Sequence, residues 1–326
     1  MVVLLLMGTV LNVHAQKKPK KGKKEKPAEE FPLSASMGGE TVRYAVLEDA
    51  PEKIKNTFIA IDYFGFDIGS SSVSIGGGID IKHNAEKFML SGNFFREYAD
   101  LIDSYDEERH EALGRAPLMN GGFVGTFFVN NTLKEAQTPV AITSTSTYTV
   151  GADGRGGYRT RIKRIVIPAQ LNRKIGIRAG YQYHQNDDAM GNFFSKWDYN
   201  TYKVPSTRSH SIVLGVSLLK ARNIRIKAQN YGERANSGLS NLYADILIAP
   251  SLNSSVFQVV DYGNAYMPVD DANFAKNRVG ARIGYEAMGT WKKYYIRTAY
   301  EVGVRPSLKN NLNAYMLVKS GIGMCF

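Results

Sequence analysis

The chain has 326 residues, with 41 Lys+Arg against 30 Asp+Glu, 19 Tyr, 15 Phe and one Cys. A single cysteine, Cys325, excludes an internal disulfide framework and any Cys-cluster metal site, and a hydrophobic content of 44% excludes wholesale disorder. Beyond residue 15 no apolar run approaches the roughly 18 residues of a transmembrane helix, which does not exclude a membrane barrel, whose apolar residues alternate with polar ones.

The first fifteen residues, MVVLLLMGTVLNVHA, form an apolar run closing on Val13-His14-Ala15. They read as a secretory signal cut between Ala15 and Gln16, although no Lys or Arg precedes the apolar core. Residues 16–30 follow as a Lys-rich tail expected to be disordered. Lys17, Lys18, Lys20, Lys21, Lys23, Lys24 and Lys26 are opposed there only by Glu25, so much of the net charge of +11 belongs to this stretch. No basic face of the nucleic-acid-binding kind appears elsewhere, and the tail reads as a tether or an arm for an anionic surface. Residues 31–56 mix apolar and charged residues and are expected to form a short strand, a small plug or a docking segment.

From residue 57 to the end the pattern has period two. Ile175, Ile177, Ala179, Tyr181 and Tyr183 alternate with Gly176, Arg178, Gly180, Gln182 and His184, and the pattern recurs through 279–287 and 296–304. Such repetition predicts fourteen strands (range 12–16), at 57–67, 71–82, 86–98, 119–131, 140–150, 158–168, 174–185, 209–219, 223–231, 240–249, 254–262, 277–288, 293–304 and 312–326. Links on one side are short (83–85, 132–139, 169–173, 220–222, 250–253, 289–292), while those on the other include 99–118, 186–208 and 263–276. The expectation is an all-β fold: a closed, transmembrane, antiparallel β-barrel over residues 57–326 with periplasmic N- and C-termini.

The polar strand faces should then point into a lumen. Asp80, Arg178, Arg225, Lys227, Arg282, Glu286, Arg297, Glu301 and Lys319 are the candidates. In the hairpin 277–288/293–304 one register places Glu286 opposite Arg297 and Arg282 opposite Glu301, each pair contributing about 0.2–1 kcal/mol. These charges form either a ladder that fills a closed lumen or a basic constriction for anionic solutes, lined by Arg178, Arg225 and Lys227. Two loops stand out: the acidic run 100–111, and the aromatic run Phe193, Phe194, Trp197, Tyr199 and Tyr202, a candidate surface for a partner or sugar. Signals for catalysis are weak. The five histidines show no metal-ligand spacing. Ser209-His210-Ser211 cannot pair nucleophile with base, because strand neighbours face opposite ways. The stretch GADGRGG at 151–157 reads as a turn.

The chain ends with Lys319, Gly321, Met324 and Phe326 at the spacing polar-x-Gly-x-x-apolar-x-aromatic. This resembles the signal that ends bacterial outer-membrane barrels and is read by the barrel-assembly machinery. Together with the Ala15-Gln16 cleavage site and the Tyr-rich strands, the chain resembles outer-membrane barrels of Bacteroidota-type bacteria. The Asn-Pro-Ala signature of fourteen-stranded fatty-acid transporters is absent near the mature N-terminus.

The resemblance implies residence in the outer membrane of a Gram-negative cell, with lipid and lipopolysaccharide as surroundings and the barrel-assembly machinery as a partner. The functional expectation is a non-catalytic structural or accessory subunit of an outer-membrane secretion or surface assembly, binding protein partners, without cofactor or nucleic acid. The alternative is a porin-like channel or transporter for small, possibly anionic, solutes, and the third is a barrel enzyme.

Overall fold

The alternation of apolar and polar residues produces strands along almost the whole described chain, interrupted by a single 3-10 turn at Pro51–Lys53. The computed structural model describes residues 31–69, 73–100, 118–150, 156–187, 201–260, 265–269, 276–291, 293–308 and 313–326, without the side chains of 100, 150, 187, 201–206, 254–260, 265–269, 291 and 308. The strands are β1 (Leu33–Met37), β2 (Glu40–Asp49), β3 (Thr57–Gly69), β4 (Val73–Asn84), β5 (Phe88–Asp100), β6 (Met119–Val150), β7 (Gly156–Asp187), β8 (Thr201–Ala228), β9 (Gly232–Val260), β10 (Ala265–Val269), β11 (Lys276–Asn277), β12 (Val279–Trp291), β13 (Tyr294–Val304), β14 (Ser307–Leu308) and β15 (Ala314–Cys325). β11 and β14 form a separate two-stranded sheet, and the other thirteen form one sheet.

Ten of these thirteen close on themselves. The order runs β8-β7-β6-β5-β4-β3-β15-β13-β12-β9, and an additional pairing of β8 with β9 completes a ring. The seam joining the first and last ring strands is antiparallel, from Tyr315↔Gly69 to Cys325↔Phe58. Phe326 fastens it: its N–H donates to the Thr57 carbonyl at 2.9 Å, and its own carbonyl accepts from Asn56 at 3.1 Å.

The ring has ten strands where fourteen were expected, because four expected turns are not turns. β6, β7, β8 and β9 run for 32, 32, 28 and 29 residues straight through 132–139, 169–173, 220–222 and 250–253. In three of these the buried face changes parity: from Ala169 to Lys174, from Ala221 to Ile224, and from Ala249 to Leu252. A broken alternation looks like a turn in sequence, but an extended chain can slip its facing by one residue and continue.

The described residues divide into two compact units. The smaller takes the chain up to Ile54 with Leu133–Asn172 and Ala221–Gly238; the larger takes Lys55–Thr132, Arg173–Lys220 and Leu239–Phe326. Residues expected to belong to one barrel are thus shared between both units, and 31–54 forms part of the smaller one.

The smaller unit is built like a water-soluble protein. Met37, Val42, Tyr44, Val140, Ile142, Ile165, Ile167, Ala169, Ile224, Ile226 and Ala228 make one apolar core. Strand β2 pairs with β8 from Tyr44↔Ala228 to Asp49↔Ile224, with a bulge between Val46 and Glu48. Arg234 Nε and Asn236 Nδ2 donate to the carbonyls of Ile142 and Pro139, both at 2.7 Å. Burial pushes the Tyr44 phenol pKa up.

Candidate functional site: the charged interior of the ring

The larger unit reverses the usual polarity. Along β3, Ile59, Ile61 and Tyr63 are exposed while Phe58, Ala60 and Asp62 are buried; along β15, Met316, Ile322, Met324 and Phe326 are exposed while Leu317 and Lys319 are buried. The same holds round the ring, where Phe123, Ile177, Val216, Ile246 and Ile283 all lie outside. Charged side chains in aqueous proteins seldom sit inside an apolar shell. Here Asp62, Asp80, Lys82, Arg178, Asp245, Arg282, Glu286, Arg297, Glu301 and Lys319 are all buried.

These ten side chains form two connected clusters. In the first, Arg297 Nη1 donates to both carboxylate oxygens of Asp62 at 2.7 Å, its Nη2 lies 3.1 Å from Asp80, and its Nε donates to Glu286. Lys82 bridges Asp80, at 2.9 Å, and Glu286. Lys319 stands 3.8 Å from Asp62. In the second, the Arg178 fork grips Asp245 at 2.8 and 3.2 Å, and Arg282 Nε donates to the same carboxylate at 2.9 Å. Glu301 accepts from the hydroxyls of Tyr243 and Tyr315, each at 2.6 Å, and pairs with Arg282 at 3.3 Å. Tyr243 also lies beneath the guanidinium of Arg178, 4.2 Å from its ring centre. Five carboxylates face five cations, so the interior is compensated rather than basic. Further along the ring Arg305 binds Asp67 and stacks 3.6 Å over Tyr315.

The cavity left among both clusters measures about 50 Å³. That is space for a few water molecules.

Local chain geometry puts these groups inside. A bulge at Tyr63–Phe64 separates Gly321↔Asp62 from Ser320↔Phe64. It shifts the inward parity of β3, so that Asp62 and Asp67, five residues apart, are both buried. Gly321 is required opposite Asp62, because a Cβ there would collide with the Asp62 carboxylate and the Ile61 carbonyl.

The expected register of the β12–β13 hairpin is off by two residues. Glu286 lies opposite Ala299 and Arg282 opposite Gly303, since the hairpin closes at Trp291↔Tyr294. Both ion pairs form nonetheless, on the diagonal, which long side chains can span.

Arg225 and Lys227 do not line the ring at all. They belong to the smaller unit, where Ile224 and Ile226 take the buried face. Arg225, half-exposed, pairs with Glu48 at 3.5 Å, and Lys227 lies over the Phe31 ring. The reason is the change of parity at Arg222–Asn223 within β8. A basic constriction built on Arg178, Arg225 and Lys227 is therefore ruled out.

Of the terminal spacing, Lys319 and Gly321 face inward and Met324 and Phe326 outward. Phe193, Phe194, Trp197 and Tyr199, the acidic residues 101–111, and residues 1–30 lie outside the described residues; Tyr202 is placed in β8 by its backbone alone. Ser209 and Ser211 are buried, whereas His210 faces the other way and bonds the Tyr181 hydroxyl at 2.5 Å. Among the described residues no His/Cys/Asp/Glu group has the arrangement of a metal site.

Sequence reasoning missed Asp62, Lys82, Tyr243, Asp245 and Tyr315. The signal was available for Asp245: it shares its strand face with Asn241 and Tyr243, between outward Leu242, Ile246 and Ile248.

No protein-family model matches the chain, and no curated protein matches it. Among solved structures, the chain is similar to a protein described as the CymD monoaromatic hydrocarbon channel, at 8% identity and a TM-score of 0.24, over 85% of this chain and 90% of that one. It is also similar to outer-membrane expressed OmpT of Vibrio cholerae, at 8% identity and a TM-score of 0.17, over 86% of this chain and 100% of that one. At those scores neither carries an argument about fold or function, which rest on this chain's own geometry.

Proposed function

We propose that the ten-stranded ring is a transmembrane β-barrel of a bacterial outer membrane, and that the protein serves there as a non-catalytic structural or accessory subunit of a larger assembly. The observation that carries the first part is the inverted polarity: an apolar exterior around a compensated charged interior suits hydrocarbon outside and polar packing within. Ring strands such as β3, β5 and β12 have 13 residues. At about 3.3 Å per residue they are long enough to cross an apolar band of about 25 Å while tilted. Closure leaves no strand edge facing lipid.

The second part rests on the paired charges of the interior and on the smaller unit. A pore for solutes needs an open path, whereas buried charged side chains paired with one another occupy the described interior. The smaller unit is aqueous in character. With its own apolar core and exposed charges, it is the docking surface of this reading.

Two measurements on the full chain test the reading. In planar bilayers the protein should insert and show no stepwise conductance; stable open-channel steps would support the channel reading instead. From native membranes in mild detergent it should migrate in a stoichiometric complex with other proteins, and migration as a lone species would remove the subunit role.

A further inference from the structure

The described segments of the smaller unit hold 11 Lys+Arg against 6 Asp+Glu. Within the smaller unit the imbalance has a definite place. Past the apolar core, the ends of β6 and β7 continue as a two-stranded ribbon, with every described side chain from Thr145 to Thr149 and from Gly156 to Arg161 exposed. Its register is held by Ser146 Oγ with Thr160 Oγ1 at 2.9 Å and by an edge-on contact between Tyr148 and Tyr158 at 5.1 Å.

Arg159, Arg161, Lys163 and Arg164 stand on this ribbon, and no acidic residue occurs among the described residues from 136 to 172. Lys163 approaches Glu40 at 3.7 Å, a loose and exposed pair. Tyr148 and Tyr158 are 57% and 79% exposed. A two-stranded ribbon bared on both faces gains little from burial and is marginal on its own. One that carries arginines, tyrosines and a run of Ser and Thr has the composition of a protein-binding surface.

We infer that this ribbon is a docking arm for an acidic polypeptide segment, with its arginines pairing carboxylates and its two tyrosines as the apolar contact. Arginine presents a planar fork that matches a carboxylate, and exposed Tyr with Arg forms the anchor pair that dominates protein interfaces. The inference deepens the accessory-subunit reading by naming the partner's chemistry. It can fail while the barrel stands, because bilayer insertion is read separately.

The test uses the full chain in uncharged detergent and a fluorescent synthetic peptide of glutamate and serine, followed by fluorescence anisotropy. The triple variant Arg159→Ser/Arg161→Ser/Arg164→Ser should weaken binding about tenfold, and Tyr148→Ser/Tyr158→Ser, which leaves the charge unchanged, about threefold. Deleting residues 17–26 should change it less than about twofold, since the ribbon keeps its arginines and tyrosines. Both substituted sets lie outside the apolar core, so thermal melting should match the parent. Equal binding by the triple variant, or loss of binding on tail deletion alone, would overturn the inference. So would vesicles of phosphatidylglycerol that bind more tightly than the peptide and show the same dependence on the arginines, since lipid would then be the partner.

Discussion

At the residue scale the interior is governed by Arg297, which serves three carboxylates at once: Asp62, Asp80 and Glu286. Removing one member of a buried pair leaves an uncompensated charge, at a cost of about 3–5 kcal/mol. Arg297→Met should therefore lower the melting temperature in detergent sharply. Adding Asp62→Asn should recover part of the loss, because a carboxylate that has lost its cation is replaced by a neutral amide. Additive losses in the double variant would mean that the two side chains do not share one network. The same shared geometry explains why swapping Glu286 with Arg297 should not restore the parent: the glutamate moved to 297 would face Asp62 and Asp80. Gly321 belongs to this scale too. Gly321→Ala places a methyl group against the Asp62 carboxylate and should destabilise the closed ring, read as a lower temperature for loss of the compact band in electrophoresis.

At the element scale the decisive strand is β15. It pairs with β3 to close the ring, and Phe326 holds the final rungs through three backbone hydrogen bonds to Asn56 and Thr57. Its outward face ends in Met324 and Phe326, 46% and 60% exposed. Phe326→Asp places a charge on that face. A charge on the lipid side of a barrel is costly in proportion to its depth, from about 0–1 kcal/mol near the interface upwards. The variant should reach the outer membrane at much reduced levels in a fractionation experiment. Normal levels would show that neither the face nor the terminal aromatic matters for insertion. The long strands β6 to β9 make the complementary point: each carries one stretch suited to an apolar surrounding and one suited to water, without a turn between them.

At the scale of the whole molecule, two compact units with opposite polarity share one sheet. The ring hides charge and shows apolar surface, while the smaller unit hides Val140, Ile142, Ile165 and Ile167 and shows charge. Most of the net charge lies with the smaller unit and the tail before it. Deleting residues 17–26 removes none of the described strands. It should leave bilayer insertion and heat resistance unchanged, measured by flotation with liposomes and by electrophoretic mobility after heating. A loss of insertion would give the tail a part in assembly that its composition does not imply.

The sequence by itself determined the all-β class, the period-two facing and the burial of Arg178, Arg282, Glu286, Arg297, Glu301 and Lys319 opposite an apolar face, because side-chain direction in a strand is a local property of the backbone. It also located the strands β3, β4, β5, β12, β13 and β15 to within a few residues. It did not determine which charges meet. Asp245 joins Arg178 to Arg282 across 67 and 37 positions, and Asp62 meets Arg297 across 235; such partners are chosen by ring closure and by the bulge at Tyr63–Phe64, neither of which leaves a periodic trace. Nor did it separate Arg225 and Lys227 from the ring. A single change of facing within β8 carries them to the smaller unit, and in sequence that change is indistinguishable from a turn. Only the tertiary structure decided that four long strands pass through both units, because the pairing partners on either side, rather than the residues at the crossing, keep the chain extended there.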